Sequence, residues 1–116
     1  MLGPGLLESV YERCLAAELE RIGVRAERQV PIPVVWANQK VGDAFRADLV
    51  VDNAIILEIK AVEAITSLHK AQLLTYLKLA ELHRGLILNF NALHLKDGMA
   101  RITNFSVPPP SLRSSV

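Results

Sequence analysis

The sequence predicts a mixed α/β domain built on one β-sheet. Two stretches have the apolar spacing and the end signals of helices, one near the start of the chain and one past its middle. The runs between and after them are rich in Val, Ile and Leu and are bounded by turn-forming residues, as strands are. Elements in this order along 116 residues indicate one domain with a single sheet.

Composition limits the class of protein. Cys14 is the only cysteine, which excludes an intrachain disulfide and favours a cytoplasmic location. No apolar run is long enough to span a membrane, and the first residues lack a secretory pattern. The formal net charge of +1 is a mild argument against a dedicated nucleic-acid binder. We expect the domain to cover residues 1–106, followed by a disordered or extended Pro/Ser tail over 107–116.

The first helix is predicted over residues 6–22, after a loop at Gly3-Pro4-Gly5 and before a capping Gly23. Helical projection places one apolar stripe on it. The stripe consists of Leu7, Tyr11, Cys14, Leu15, Leu19 and Ile22. Glu8 falls inside this stripe. A first-turn glutamate favours the helix dipole, so a structural and a functional role for Glu8 both remain open.

The first strand is predicted over residues 28–36. Pro31 and Pro33 share one of its faces, and proline cannot donate to a sheet ladder, so we expect an edge strand or a bulged one. Residues 38–43 are interpreted as a polar turn, and the central hairpin is expected to start near Phe45.

The central hairpin, residues 48–60, carries the candidate chemistry. Asp48, Glu58 and Lys60 interrupt two apolar strands, and charged groups there are unfavourable unless they are paired or bound to a metal. Glu58 and Lys60 share a face because strand side chains alternate. Two carboxylates beside an ammonium are suited to a divalent cation and an anionic substrate.

The length of the hairpin loop decides whether both carboxylates share a face. A three-residue loop over 52–54 would pair Val51 with Ile55, and therefore Asp48 with Glu58. A two-residue loop would place Glu58 on the opposite face from Asp48.

The second helix is predicted from a cap at Thr66 or Ser67 to about residue 83, with Gly85 just beyond its end. A buried strand over 86–91 follows, and residues 93–96 and 99–102 are predicted to form a hairpin across Asp97-Gly98.

One face of the second helix is mostly apolar but carries His69, Gln72 and Tyr76 at helical spacing. For His69 alone, a boundary position with its polar tip in water is the favoured explanation. Gln72 and Tyr76 together point more strongly to a function, because both would face the sheet.

Several sequence blocks resemble a known family. Asp48 followed by Glu58-Ile59-Lys60 resembles the signature of the PD-(D/E)XK nuclease superfamily. Gly5-Leu6-Leu7-Glu8-Ser9-Val10-Tyr11 is similar to the name-giving pattern of the GxxExxY protein family, a small bacterial branch of that superfamily. Further similar blocks cover 46–49, 58–63, 69–76 and 85–91, so the resemblance extends to about Phe105.

The resemblance implies a restriction-endonuclease-like core of a helix, three antiparallel strands, a helix and a further strand. It implies a metal-dependent nuclease for DNA or RNA, with DNA the favoured partner. Asp48, Glu58 and the carbonyl of Ile59 would hold Mg²⁺ or Mn²⁺, and Glu8 would reach the same site. Lys60 would lie beside the attacking water.

It also implies secondary roles on the second helix and the second strand. Gln72 and Tyr76 match a glutamine–tyrosine motif of exonuclease-like members, while His69 and Arg46 lie in matching blocks as substrate-binding or positioning residues. Relatives usually carry a further helix before the GxxExxY block, so we expect exposed apolar surface here and a homo-oligomer. The alternative function is an inactive nuclease fold used for binding or regulation.

Overall fold

The computed structural model describes residues 4–91 and 98–109. Within them, a five-stranded sheet has the order β1-β2-β3-β4-β5, with a helix on each side. Only β3 and β4 run parallel; the other neighbours are antiparallel. The elements are α1 (Pro4–Arg21), β1 (Ala26–Trp36), β2 (Gln39–Val51), β3 (Ile55–Lys60), α2 (Ser67–Ala80), β4 (Arg84–Asn89) and β5 (Met99–Thr103). The mixed α/β class is therefore confirmed.

Alternate residues of β3 belong to two separate apolar cores. Leu57 and Ile59 pack in the core beneath α1, together with Ala16 of that helix. Ile56 packs in the core beneath α2, with Leu77 of that helix. Because strand side chains alternate, the two helices cover opposite faces of the sheet. No helix in the described ranges is long and apolar enough to cross a membrane.

Helix α1 differs from its prediction at its start. It begins at Pro4, so the expected loop at Pro4 and Gly5 is wrong. Proline is well tolerated in the first helical turn, where its missing N–H would have no partner in the helix.

The buried face of α1 also differs from the predicted stripe. Leu7, Cys14 and Ile22 are exposed, whereas Glu12 and Ala16 are buried. Projection of apolar residues therefore gave the wrong face for part of the helix, since a buried and paired glutamate lies on the side that meets the sheet.

The hairpin of β1 and β2 is longer than predicted. Its turn lies at Ala37 and Asn38, both at positive φ (51° and 63°), and β2 starts at Gln39, so the polar turn over 38–43 is wrong. The edge position of β1 is confirmed, and Pro31 and Pro33 are exposed on it.

Of the two registers open to the central hairpin, the structure has the one with the three-residue loop. Asp52 and Asn53 both adopt left-handed φ values of 53°, and the N–H of Ala54 donates to the carbonyl of Val51 at 2.9 Å. The ladder pairs Val51 with Ile55, Val50 with Ile56 and Leu49 with Leu57. Asp48 and Glu58 are the next residues in this register.

Helix α2 starts where predicted, with Thr66 as its N-cap, but it ends earlier. Its last residue is Ala80, and Glu81 adopts the left-handed cap conformation with a φ of 57°. Gly85 is not a helix cap. It lies in β4, where an added Cβ atom would come within 3.0 Å of a methyl carbon of Leu73.

Strand β5 closes the described sheet by pairing with β4. The other strand of the predicted hairpin, residues 93–96, lies outside the described residues. Beyond β5, the ring Nδ1 of buried His83 donates to the carbonyl oxygens of Asn104 (3.1 Å) and Val107 (2.5 Å). The remainder of the predicted tail, 110–116, also lies outside the described residues.

Candidate active site

Asp48 and Glu58 meet where the ladder between β2 and β3 stops. The backbone N–H of Asp48 donates to Glu58 Oε1 at 3.3 Å, and the N–H of Ile59 donates to Asp48 Oδ2 at 2.8 Å. Side-chain oxygens thus accept from the backbone at the position where the ladder pairs end. We call Asp48 and Glu58 the carboxyl pair.

Glu58 holds a proton at neutral pH. Its side chain is buried, and this burial is the main reason that its pKa rises to about 9. The charge of Asp48 and a hydrogen bond with its carboxylate raise the pKa further, while the backbone of Asp48 and the charge of Lys60 oppose the rise. The carboxyl pair therefore shares one proton, as two carboxyl groups held close together do.

Lys60 ends β3 on the same side as Glu58, and the chain after it is firmly held. The carbonyl of Lys60 accepts from the N–H of Phe90 at 2.9 Å. The side chain of Asn89 accepts from the N–H of Val62 (3.0 Å) and donates to its carbonyl (2.8 Å). Asn89 was missed in the sequence, although an amide at the end of an apolar strand was a usable signal.

Glu8 belongs to α1 and therefore approaches from the face of the sheet that α1 covers. Glu58 points to the opposite face, because Leu57 and Ile59 on either side of it pack beneath α1. Its Oε1 accepts from the N–H of Ala61 at 3.2 Å, one residue beyond Lys60. In the described part of the chain, no three acidic, His or Cys side chains come close enough together to hold a metal ion. The structure therefore brings Glu8 to the end of β3, but does not group its carboxylate with the carboxyl pair.

Tyr76 of α2 lies near enough to the carboxyl pair that, in addition to burial, their charges raise its pKa. It is buried, and its ring lies 5.1 Å from that of Phe45. Burial raises the pKa of Tyr76, and the charges of Glu58 and Asp48 raise it further. Its neighbour on the helix face, Gln72, is exposed, so the expectation that both residues face the sheet holds for Tyr76 and is wrong for Gln72.

His69 and Arg46 have structural contacts. His69 Nδ1 accepts from the N–H of Thr66 at 3.0 Å, and the N–H of His69 donates to Thr66 Oγ1 at 3.2 Å. This reciprocal pair is a capping box that starts α2. Arg46 is exposed and donates from Nη1 to the carbonyl of Gln29 at 3.2 Å.

The donor chemistry of the site fits a hard divalent cation. The carboxyl pair and the carbonyl of Ile59 would supply oxygen only, which is the ligand type that Mg²⁺ and Mn²⁺ prefer. The shared proton marks a position where two carboxylates are too close to be ionised together without a compensating positive charge.

Comparison with known proteins shows the family of the chain. A family model of the PD-(D/E)XK nuclease superfamily matches residues 1–102. No curated protein and no solved structure gives a significant match. The mixed sheet between two helices is consistent with the restriction-endonuclease-like fold, and nucleases of this superfamily generally depend on divalent metals. With 102 of its 116 residues matched, the chain belongs to the PD-(D/E)XK nuclease superfamily.

Proposed function

We propose that the protein is a metal-dependent nuclease that hydrolyses phosphodiester bonds in DNA or RNA, with DNA the favoured substrate. One observation carries this proposal. The carboxyl pair shares a proton where the ladder between β2 and β3 ends, and Lys60 follows Glu58 two residues later on the same side. Carboxyl groups whose pKa is shifted by burial and by a neighbouring charge are concentrated at functional sites, which supports the proposal.

Each residue at the site has a role in the proposed reaction. Bound Mg²⁺ or Mn²⁺ would activate water and neutralise charge at the phosphate. Asp48, Glu58 and the Ile59 carbonyl would hold the ion, and Glu58 must release its proton to do so. The Lys60 ammonium would orient the nucleophilic water and offset the charge that builds on the phosphate.

The remaining site residues would act at a distance from the ion. Glu8 would contribute through a bound water, because its carboxylate already accepts from Ala61. Tyr76 would border the site from α2, and the exposed side chains of Gln72 and Arg46 would contact the nucleic-acid backbone. For His69 the capping box supports a structural role and not a substrate-binding one.

The alternative is an inactive nuclease fold that serves in binding or regulation. Two observations favour it. The Glu8 carboxylate stands apart from the carboxyl pair, and the formal net charge is only +1. Nucleic-acid binding usually requires several cationic contacts with phosphates.

The finer assignment to the GxxExxY family, and with it a bacterial origin, rests on the sequence blocks around Glu8 and Tyr11, and the proposed cytoplasmic location rests on the single Cys14. We also propose a homo-oligomer, since Leu7 and Val10 are exposed apolar residues on the outside of α1. Light scattering that gives a monomer at high micromolar concentration would contradict this proposal.

A cleavage assay with matched variants tests the function. Wild-type protein with Mg²⁺ or Mn²⁺ should cleave single- or double-stranded DNA or RNA. Lys60→Ala should abolish cleavage yet keep metal affinity, because its role is mainly in the transition state. Lys70→Ala, at an exposed position on α2, is the control and should cleave normally. Cleavage by Lys60→Ala at the wild-type rate, or none by wild type, would favour the binding module.

A further inference from the structure

Asp48 lies in β2, and helix α1 makes contacts on both sides of it, with β1 and with the end of β3. Glu8 accepts from Ala61 beyond the end of β3, and Glu12, one helical turn later, contacts β1. Only 4% of Glu12 is exposed. Its two carboxylate oxygens accept from Nε2 of Gln29 at 3.0 and 2.9 Å, and Nε of Arg28 lies 3.2 Å from Oε1.

Gln29 interrupts the regular geometry of β1. Its φ is 53°, in the left-handed region that non-glycine residues adopt only under strain. Before it, Ala26 packs in the core beneath α1, and after it Val30 packs in the core beneath α2. Residues four apart in a regular strand face the same side. The strand is therefore twisted at Gln29, so that the side chains that would face α1 in a regular strand face α2 after this residue.

The interruption lies across from Asp48. The ladder pairs Arg28 with Leu49 and Val30 with Ala47, so Gln29 and Asp48 are the residues between these two pairs. Strand β2 is twisted at the same place. Ala47 packs beneath α2 and Leu49 packs beneath α1, although residues two apart in a regular strand face the same side. Asp48 is thus at a twist in both strands, from which its carboxylate reaches across to the N–H of Ile59.

We propose that Glu12 is a positioning residue for Asp48. By holding the Gln29 side chain with both of its oxygens, Glu12 fixes the left-handed conformation of Gln29 and therefore the twist that places Asp48 against Glu58. Glu12 itself touches neither substrate nor metal. Its effect on cleavage rests on the proposed nuclease function, whereas its effect on the position of Asp48 does not.

The test separates the left-handed backbone conformation of Gln29 from the side-chain contact between Gln29 and Glu12. Amide hydrogen exchange at Ile59 reports whether Asp48 still accepts its hydrogen bond, and it is measured without metal or substrate. Glu12→Ala should raise Ile59 exchange by about tenfold or more, and should lower cleavage with it. Adding Gln29→Gly to Glu12→Ala should restore both, because glycine adopts positive φ without strain. Glu20→Ala, at an exposed position on α1, is the control.

Position 29 gives a second comparison in which Glu12 is intact. Gln29→Ala should raise Ile59 exchange as Glu12→Ala does, whereas Gln29→Gly should stay near wild type. Equal exchange for these two variants would overturn the proposal, as would failure of glycine to rescue a folded Glu12→Ala protein. If wild type cleaves no nucleic acid but the exchange pattern holds, the proposed function fails and the positioning role stands.

Discussion

Glu58→Gln should make the free energy of unfolding of the metal-free protein less sensitive to rising pH. In the folded protein the pKa of Glu58 is raised to about 9, mainly by burial and then by Asp48. The unfolded chain would lose this proton near the ordinary glutamate value of about 4.3. Between these values the folded state binds one proton more than the unfolded state, so the free energy of unfolding falls as pH rises.

The size of the effect follows from proton linkage. One extra bound proton gives a slope of at most about 1.4 kcal/mol per pH unit. From pH 6 to pH 8 wild type should therefore lose up to about 2.7 kcal/mol of stability through this one group. The glutamine variant has no proton to lose and keeps a similar shape, so this part of the slope should vanish.

Urea unfolding in EDTA at pH 6, 7 and 8 measures both slopes. Glu63→Gln, an exposed glutamate shortly after β3, is the matched control and should retain the wild-type slope. Identical slopes for wild type and Glu58→Gln would refute the inference that Glu58 holds a proton at neutral pH.

Three further substitutions test individual contacts. His69→Ala should lower stability by about 0.5–1.5 kcal/mol, because the N–H of Thr66 loses its partner, yet leave cleavage unchanged; a large loss of cleavage would restore the substrate-binding role. Gly85→Ala should destabilise by about 1–3 kcal/mol in urea unfolding, since its Cβ would meet buried Leu73; an unchanged midpoint would contradict this packing. Asn89→Ala should cost about 1–3 kcal/mol by leaving the N–H groups of Val62 and Asn91 without their acceptor, and a neutral result would show that water replaces the amide.

Local signals in the sequence predict the central hairpin well. The turn residues Asp52-Asn53 locate the hairpin, and the alternation of β3 places Glu58 and Lys60 on one face. The loop length is left open by the sequence, and the observed ladder has the three-residue register that places Asp48 next to Glu58. Turn geometry and side-chain alternation act over a few residues, so the sequence carries them directly.

Features that depend on distant partners cannot be predicted in this way. Glu12 is buried only because Gln29 and Arg28 on β1 pair with it, and no spacing within α1 reveals that contact. Gly85 has the position of a helix cap in the sequence. In the structure, glycine is required there because Leu73 of α2 approaches too closely for a Cβ atom. The spacing of His69 allows several roles, of which its reciprocal bond with Thr66 is one and substrate binding is another.

Calorimetric titration of Mn²⁺ into wild type and Asp48→Asn tests the central claim most directly. Asparagine keeps an oxygen that can accept from Ile59, so the variant removes charge with little change of shape. Wild type should bind the ion, and at pH 7 should release close to one proton per ion as Glu58 ionises. Asp48→Asn should lose most of the affinity. Equal binding by both proteins, or none by wild type, would contradict the assignment of the carboxyl pair as a metal site.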